Sequence, residues 1–439
     1  MQPTSVKIIK KLKKAGFEAY WAGGCVRDML LGIKPKDFDI VTSAKPDEIE
    51  KILNHTLPVG KEFGVILAIQ NGHHFEVATF RSDSSYSDGR RPDAVFFTNA
   101  KEDAKRRDFT INGMFYDPVE DQVIDYVEGQ KDLDARLIRF IGNPHERILE
   151  DHLRVLRAIR LKNVLDFQYE PKTYEAVSKH AALLIDKVAN ERIRDELNKI
   201  IASPNAVKAF QDLEDTGVLK IILPEIQKMK GVAQPYQYHK EGDVWTHAMQ
   251  SLASLSKDEN ASLSLRWATL LHDVGKPDTF TLKERIRFDT HDRKSRDISH
   301  QILTRLRFKK QFIDEVCWLV EHHMMVLPLL EMPPGRKLHW FHHPYFKNLL
   351  ALFESDARGT TPQHLEWIDE IKKQYHQALK DMPKLPRPLV DGEDVMKILG
   401  LKQSKEVGDI LEKVREQQLG GELKTKKEAM TWLKKFARN

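Results

Sequence analysis

Two glycines and two aspartates near the N-terminus have the spacing of a site for phosphate and metal. Gly23 and Gly24 end an apolar run and precede a short helical pattern that carries Arg27. Glycine lets the backbone approach a phosphate closely, and the free N–H groups at a helix start suit an anion. Asp37 and Asp39 follow in a second apolar run and, on a strand, project from one face. Paired carboxylates repel unless a cation such as Mg²⁺ lies between them, so the stretch predicts phosphoryl or nucleotidyl transfer.

A third carboxylate is predicted beside this pair. Residues 65–70 and 73–80 flank Asn71-Gly72, and this dipeptide suits a type I′ turn between two hairpin strands. Counting by twos along the second strand places Glu76 where it can lie beside Asp39. Three carboxylates then complete a catalytic ligand set for two metal ions about 4 Å apart. An exposed strand glutamate is the alternative interpretation.

A row of arginines predicts a second surface that complements the first. A single helix is expected from Glu146 to Lys162, with apolar residues along one side. Four residues fall three apart along its other side: Asp151, Arg154, Arg157 and Arg160. Arginine only donates hydrogen bonds and aspartate only accepts them, so together they can pair with the edge of a nucleobase. The alternative, a salt-bridged surface helix, is less favoured next to a site for nucleotidyl transfer.

Length and composition limit the classes of protein to which the chain can belong. A chain of 439 residues is too long for one core, and about two to four domains are expected. No apolar run approaches the roughly 18 residues of a membrane span, and the N-terminus lacks the apolar core of a signal peptide. Cys25 and Cys317 have no metal or disulfide spacing, which favours a reducing, cytoplasmic setting. The net charge of +5 is concentrated in residues 424–438, a pattern that fits either a polyanionic partner or a solvated helix face.

The elements that must position these residues change character along the chain. Up to residue 97, an amphipathic helix at 5–15, a helix starting at Pro46 and short strands indicate a small mixed sheet with helices. From Lys101 to about Asp381 helical patterns dominate, with a glycine- and proline-containing boundary at 229–243. A proline-rich linker at 382–388 precedes a short helical tail.

Four motifs occur in an order typical of one family. Gly-Gly-x-x-Arg-Asp, Asp-x-Asp, Arg-Arg-Asp-Phe-Thr-Ile-Asn and Glu-Asp-x-x-Arg together resemble the class II tRNA nucleotidyltransferases and bacterial poly(A) polymerases. These proteins belong to the DNA-polymerase-β-like superfamily, and the resemblance covers roughly residues 15–230. It implies an α+β fold with a small mixed-sheet head and an elongated, all-helical remainder. The implied domains are a nucleotidyltransferase head at 1–140, a neck with a base-reading helix at 141–230, an HD-like body at 231–381 and a tRNA-binding helical tail at 389–439.

The resemblance also implies roles for individual residues. Asp37 and Asp39 would hold Mg²⁺, as two ions. The implied nucleotide-binding residues are Gly24 and Arg27 for the triphosphate, Arg107 for the incoming nucleotide, Asp108 and Asn112 for the ribose pocket, Asp151 and Arg154 for the base edge, and Arg157 and Arg160 as their supports and as phosphate ligands.

Three further segments resemble parts that move or hold the head in this family. The segment from Arg81 to Pro92, with Tyr86 and the pair Arg90-Arg91, resembles the flexible loop needed for the final A. A set of three residues resembles the springy element between head and neck: Asp125, Gly129 and Asp132. Glu191-Arg192 resembles a neck-helix motif.

A second group of histidines and aspartates is similar to the HD-type phosphohydrolases. The group comprises His247, His272-Asp273, His291 and His322-His323, with Asp356 downstream. Imidazoles with a carboxylate suit a transition metal or Mg²⁺ that could activate water against a phosphoester. The implied second site for a divalent metal is His247, His272, Asp273 and His291. Asp292 departs from the pattern, in which glutamate is more usual, and a scaffold without activity is the alternative.

Histidines outside this group are expected to lie at the surface or in packing contacts: His239, His300 and His342.

The implied function is template-independent addition of CCA to the 3′ end of tRNA, from CTP and ATP, with release of pyrophosphate. Rivals within the family are A-adding and CC-adding enzymes and poly(A) polymerases. Rivals from other classes are a metal-dependent HD phosphohydrolase and a non-catalytic RNA-binding protein, and the latter has no need for Asp37, Asp39 and Arg27 together. The implied partner is tRNA, no membrane is involved, and the oligomeric state stays open.

Overall fold

A computed structural model of the chain describes residues 1–84, 94–256 and 258–436, apart from the side chain of Asp186. It divides into two compact units, the N-terminal unit Met1–Pro224 and the C-terminal unit Glu225–Asn439. Every helix among the described residues is too short or too polar to cross a membrane. Most of the segment predicted as a flexible loop, including Tyr86 and Arg90-Arg91, lies outside the described residues.

The N-terminal unit contains a mixed sheet, which confirms the α+β class. Among the described residues, seven strands form this sheet in the order β3-β4-β5-β2-β1-β8-β9. Its neighbours are antiparallel except β2 and β5, which run parallel. The strands of the unit are β1 (Ala19–Ala22), β2 (Asp39–Thr42), β3 (Thr56–Leu57), β4 (Val65–Gln70), β5 (His73–Thr79), β6 (Arg81–Asp83), β7 (Val95–Phe97), β8 (Phe115–Asp117), β9 (Gln122–Ile124), β10 (Leu137–Ile138) and β11 (Gln168–Tyr169).

The β4–β5 hairpin fixes the centre of this sheet. Asn71 and Gly72 both have positive φ, 53° and 72°, as the predicted type I′ turn requires. The hairpin brings β5 beside β2, so the strand that begins with Asp39 lies next to the strand that carries Glu76. The side chains of Val41, Phe80 and Phe115 pack below these strands in a buried apolar cluster.

Helices surround the sheet and make up the rest of the N-terminal unit. They are α1 (Gln2–Lys14), α2 (Gly24–Leu30), α3 (Pro46–Ile52), α4 (Ala100–Lys105), α5 (Gly129–Asp134), α6 (Pro144–Glu150), α7 (Arg154–Leu165), α8 (Pro171–Lys179), α9 (Leu184–Lys187), α10 (Asn190–Ile201), α11 (Ala206–Asp215), α12 (Val218–Ile222) and, at the boundary, α13 (Pro224–Gln227). A 3₁₀ turn at Thr110–Asn112 precedes β8.

The prediction of one helix from Glu146 to Lys162 is wrong. The chain forms α6 and α7, which are separated at Asp151, where the backbone is extended with φ −142° and ψ 104°. The Asp151 carboxylate accepts a hydrogen bond from the N–H of Leu153 at 3.1 Å, an alternative to the helical hydrogen bond that aspartate readily offers. Asp151 therefore lies before the helix that carries the arginines and not on it.

The C-terminal unit is helical apart from a short hairpin. Its strands, which the helical pattern did not predict, are β12 (Phe280–Leu282) and β13 (Ile286–Phe288). Its helices are α14 (Val244–Ser254), α15 (Leu263–Leu271), α16 (Lys276–Thr279), α17 (His291–Arg305), α18 (Lys310–His322), α19 (Val326–Glu331), α20 (Pro334–Phe341), α21 (Phe346–Gly359), α22 (Glu366–Asp381), α23 (Gly392–Leu399), α24 (Lys405–Leu419) and α25 (Lys426–Phe436). The last three share their own apolar core around Val395, Ile410 and Leu433.

Candidate active site and histidine cluster

Three exposed carboxylates gather at one end of the parallel strand pair in the N-terminal unit. Ile40 is paired with Val77, so the preceding residues, Asp39 and Glu76, lie side by side. Asp37 is two residues before Asp39. Although the Asp39 side chain reaches the surface, the surrounding protein removes part of its water, and this desolvation, followed by the negative charges of Asp37 and Glu76, raises the pKa of Asp39 to about 6. Clustered carboxylate oxygens of this kind fit a hard divalent cation such as Mg²⁺, which would remove the repulsion.

The two glycines bring a helix start and an arginine to the same place. Gly23 has φ 74°, and a Cβ atom there would lie 3.3 Å from Nη1 of Arg107. Glycine suits this backbone conformation and leaves room for the guanidinium of Arg107. Asp103 holds Arg107 with a 3.0 Å ion pair, and the positive charge of Arg107 acts on Asp39. Gly24 begins α2 beside this arginine.

A chain of hydrogen bonds joins α2 to α7. Nη1 of Arg27 donates to Oδ1 of Asn112 at 2.6 Å, and Nδ2 of Asn112 donates to Oδ1 of Asp108 at 3.2 Å. Nε of Arg157 donates to Oδ2 of Asp108 at 2.8 Å. Although Asp108 is buried, the charge and hydrogen bonds of Arg157 hold its pKa well below the usual range. The predicted triphosphate segment and the arginine helix therefore meet.

Other members of the arginine row contact partners within the chain. Arg192, from the predicted neck motif, donates from both Nη atoms to the two carboxylate oxygens of Asp151, at 3.0 and 2.8 Å. Arg154 is buried and donates to the carbonyl of Arg147 and to Glu150, both at 2.6 Å.

Arg160 donates to Glu196 on α10. Of the four residues in the row, Arg157 is the one whose contacts join it to Asp108 and Asn112.

The three residues predicted to couple head and neck are tied to the 3₁₀ turn that carries Asn112. A Cβ atom on Gly129 would lie 2.3 Å from the carbonyl oxygen of Thr110, so α5 packs directly on that turn. Asp132 is buried and accepts from the hydroxyl of Thr110 at 2.7 Å. Asp125 accepts from the N–H of Gly129 at 3.0 Å. These contacts fix the position of the turn that carries Asn112 against α5.

The histidines of the C-terminal unit converge on one buried point. Nε2 of His247 lies 3.1 Å from Nε2 of His272, and Nε2 of His291 lies 3.2 Å from Nε2 of His323. Nδ1 of each of the last three faces a backbone carbonyl at 2.7 to 2.8 Å. Hydrogen bonds from Nδ1–H to these carbonyls turn the Nε2 lone pairs toward the centre, as in metal-binding histidines.

Asp273 joins the two histidine pairs. Its Oδ2 lies 3.3 Å from His272 and 3.6 Å from His247, while its Oδ1 lies 3.4 Å from His291 and 3.6 Å from His323. Within the described part of the chain, that buried Oδ1 makes no hydrogen bond. The cluster thus offers two overlapping ligand sets that share one carboxylate. Imidazole and carboxylate groups in this arrangement fit divalent transition metals.

Residues beyond the predicted four complete the cluster. Asp356 lies 3.0 Å from Nε2 of His247, while His322 turns away and bonds the carbonyl of Trp318. His239 is half-buried and bonds Glu241, which also lies 3.2 Å from His247. Burial opposes protonation of His247, but Asp356 and Glu241 outweigh it and raise the pKa of that ring to about 9.

The sequence did not indicate the contribution of His239 and Glu241, because both lie in the irregular boundary segment, where no periodicity predicts their neighbours. His300 is exposed, as predicted, and His342 bonds the carbonyl oxygens of Leu338 and Met382.

Three protein families match successive parts of the chain. The poly A polymerase head domain matches residues 19–139, and the probable RNA and SrmB-binding site of polymerase A matches residues 166–230. The HD domain matches residues 244–337.

Individual relatives and a solved structure are also similar to this chain. The CCA-adding enzyme of Ligilactobacillus salivarius is 38% identical over 60% of this chain and 66% of its own length, so the chain spans slightly less than two thirds of that relative. The A-adding tRNA nucleotidyltransferase of Deinococcus radiodurans is 33% identical over 94% of both chains. The crystal structure of the Bacillus stearothermophilus CCA-adding enzyme in complex with CTP is 26% identical, covers 99% of this chain and 97% of its own, and has a TM-score of 0.75.

Proposed function

This chain belongs to the family of tRNA nucleotidyltransferases and poly(A) polymerases, and from that premise we propose that it adds C, C and A to the 3′ end of tRNA. The observation that carries this proposal has two parts: Asp39, one of the three carboxylates, pairs with Ala22 just before α2, and a hydrogen-bonded series leads from Arg27 on α2 to Arg157. The proposed substrates are CTP, ATP and tRNA, and the proposed setting is the cytoplasm.

The chain's own residues position the reacting groups. The N–H groups at the start of α2, together with Arg27, bind the triphosphate, and Arg107 contributes a second guanidinium beside it. The family uses a divalent metal, and we propose two Mg²⁺ ions held by Asp37, Asp39 and Glu76. Mg²⁺ bound there would lower the pKa of the RNA 3′-hydroxyl and neutralise the triphosphate. The 3′-hydroxyl releases its proton to water and its oxygen forms a bond to the α-phosphorus. The bond from the α-phosphorus to the oxygen that bridges to the β-phosphate breaks, and pyrophosphate leaves.

Base selection requires an exchange of partners on the chain. Asp151 and Arg154 can pair with a base edge only after releasing Arg192 and Glu150, their partners in the structure. Arg157 stays bonded to Asp108 and keeps α7 anchored during this exchange. No RNA template is needed, because these protein groups supply the donors and acceptors.

The test of this proposal is stepwise incorporation on three tRNA transcripts, ending before CCA, after the first C and after the second C. With CTP and ATP, we expect all three to be extended to CCA. Extension of the third transcript alone, with A, would show an A-adding enzyme. Absence of any extension, with tRNA binding retained, would overturn nucleotidyl transfer itself.

The A-adding enzyme is the second candidate for this site. It is favoured by the Deinococcus relative, which matches over 94% of both chains and is named for A addition alone. CTP and ATP compete for one base-reading site in the proposed CCA-adding enzyme, so CTP should inhibit A addition there. CTP should leave A addition unaffected in an enzyme restricted to ATP.

We propose a second activity, metal-dependent phosphoester hydrolysis, for the C-terminal unit. Its support is the convergence of the ring nitrogens of His247, His272, His291 and His323 around Asp273. Divalent metal in this cluster would supply Lewis-acid activation of water. In the reaction, the water oxygen forms a bond to phosphorus, the ester P–O bond breaks, and the departing oxygen takes up the proton that the water releases, which gives the alcohol.

A further inference from the structure

A buried arginine on α6 joins two groups of residues that bind the nucleotide in the proposed reaction. Arg147 is 8% exposed. Its guanidinium donates from Nη2 to the backbone beside and at Arg107, and from Nη1 to Glu150. A buried charge destabilises the fold unless it is paired, so the position of this guanidinium is tied to the positions of its partners. The planar fork of arginine fixes the directions of these hydrogen bonds as well.

On one side, Arg147 holds the segment that carries Arg107. The helix α4 ends at Lys105, and the carbonyl groups at a helix end need donors from outside the helix. Nη2 of Arg147 donates to the carbonyl oxygen of Arg106 and, at 2.7 Å, to that of Arg107. Arg147 therefore fixes the backbone of the residue whose positive charge acts on Asp39.

On its other side, Arg147 shares a carboxylate with the arginine proposed to read the base. Oε2 of Glu150 accepts from Nη1 of Arg147 and, at 2.6 Å, from Nη1 of Arg154. Nη1 of Arg154 also donates to the carbonyl oxygen of Arg147 at 2.6 Å. When Arg154 leaves Glu150 for a base edge, the negative charge that the two arginines shared acts on Arg147 alone. In a partly buried site, where the dielectric is lower than in water, this strengthens the remaining ion pair.

We propose that Arg147 is a positioning residue that makes the rate of nucleotidyl transfer depend on the base. A base that withdraws Arg154 from Glu150 tightens the pair of Glu150 with Arg147. Arg147 then holds the backbone of Arg107 firmly beside the triphosphate. A base that does not fit leaves the carboxylate shared, so Arg107 is held less firmly. This role rests on the proposed nucleotidyl transfer and gives that site a residue through which it selects its substrate.

The test measures kcat and KM with ATP and with GTP on the transcript that ends after the second C. Both candidate enzymes add A to this transcript, so the measurement does not depend on the choice between them. Arg147→Met should lower kcat for ATP by about a hundredfold and change KM by less than about threefold, because Arg147 acts after the correct base is bound. Incorporation from GTP should fall much less. The ratio of kcat/KM for ATP to kcat/KM for GTP should therefore fall by about tenfold or more.

A double variant tests whether Arg147 acts through Glu150. Glu150→Gln should lower the same ratio, and Arg147→Met combined with Glu150→Gln should lower it no further than the single variants do. Additive losses would contradict this connection. Arg147→Lys keeps a cation without the fork of donors and should also lower the ratio, so the test does not depend on the folding of Arg147→Met.

The matched control is Arg266→Met. Arg266 is 4% exposed and likewise donates to a backbone carbonyl, that of Asp258 at 2.6 Å, but it lies in the C-terminal unit. Its substitution should leave the ratio at the wild-type value. Equal losses for ATP and GTP in Arg147→Met, as partial unfolding would give, would overturn the positioning role and leave nucleotidyl transfer intact. Incorporation of neither nucleotide by the wild-type chain would overturn nucleotidyl transfer and the role of Arg147 with it.

Discussion

The two units build their charged sites in opposite ways. In the N-terminal unit the side chains of Asp37, Asp39 and Glu76 are exposed, and they lie where the parallel pairing of β2 with β5 begins. In the C-terminal unit, His272 and Asp273 are 1% and 2% exposed, and the histidine rings are oriented by backbone carbonyls. The exposed carboxylates would allow substrate and metal to bind and dissociate together. The buried histidine cluster would be pre-organised for metal before any substrate binds.

This contrast predicts that each site can be lost without the other. Metal at the proposed carboxylate site would depend on the nucleotide that shares it, because exposed oxygen ligands hold Mg²⁺ with much of its water retained. Metal at the proposed histidine site would depend on the protein alone. Variants in one unit should therefore separate the two activities cleanly.

Asp39→Asn should have the largest effect. Removing one of the carboxylates proposed to bind metal should lower nucleotide incorporation into tRNA by about a thousandfold, equivalent to roughly 4 kcal/mol of transition-state stabilisation. The metal content of the C-terminal unit, measured by mass spectrometry after dialysis, should not change. The matched control is Asp47→Asn, an exposed aspartate of α3 outside the carboxylate group. Incorporation within tenfold of wild type would contradict the role of Asp39.

Asp273→Asn should produce the reverse pattern. Because Asp273 serves both ligand sets, its loss should lower the affinity for divalent metal by at least about a hundredfold. Nucleotide incorporation should stay within about twofold of wild type. Asp278→Asn, which alters an aspartate of the adjacent α16 that pairs with Lys294, is the control. Metal retained at wild-type affinity in Asp273→Asn would show that the cluster is a scaffold only.

The carboxylate site was predictable from sequence because local patterns encode it. The Asn71-Gly72 turn fixes the hairpin register, and the two-residue period then places Glu76 beside Asp39. The histidine cluster was identified from spaced motifs, although its members come from separate helices. In that case the family resemblance contributed what periodicity could not.

The features that the sequence did not predict depend largely on contacts between residues far apart in the chain. The break at Asp151 combines a local hydrogen bond from the N–H of Leu153 with the pairing of Asp151 and Arg192 across 41 positions. The periodic pattern of residues 146–162 is compatible with a continuous helix, so the pattern alone does not reveal the break. Short strands such as β8 and β12 were likewise missed, because three residues carry too little pattern to be recognised.

Arg157→Met tests the anchoring of α7 in the N-terminal unit. Asp108 then stays buried without its cation, which should destabilise the unit by about 2 kcal/mol and lower the midpoint of thermal unfolding. Asp108→Asn combined with Arg157→Met should recover part of the loss, since the unpaired charge is removed. A midpoint equal to wild type in the single variant would contradict this anchoring.

The same ion pair predicts a dependence on pH. The pKa of Asp108 is lowered in the folded protein, so its contribution to stability is complete above the unfolded pKa of about 4 and is lost as the pH falls toward the folded value. Wild type should therefore lose stability more steeply between pH 5 and pH 3 than Arg157→Met. Unfolding midpoints of both proteins across this range, measured at constant ionic strength, provide the test. Parallel curves would exclude a contribution from this pair.

Asp292→Glu should have the smallest effect, although the residue departs from the pattern of related HD domains. Among the described residues, the groups of ligand atoms within 4.8 Å of one another include His291 but not Asp292. The cluster already obtains its carboxylates from Asp273 and Asp356, so an extra methylene at position 292 changes none of its ligands. Metal affinity should change by less than about threefold, whereas His291→Gln should reduce it by tenfold or more. A large gain in affinity for Asp292→Glu would show that the glutamate is a ligand and that this cluster is incomplete as it stands.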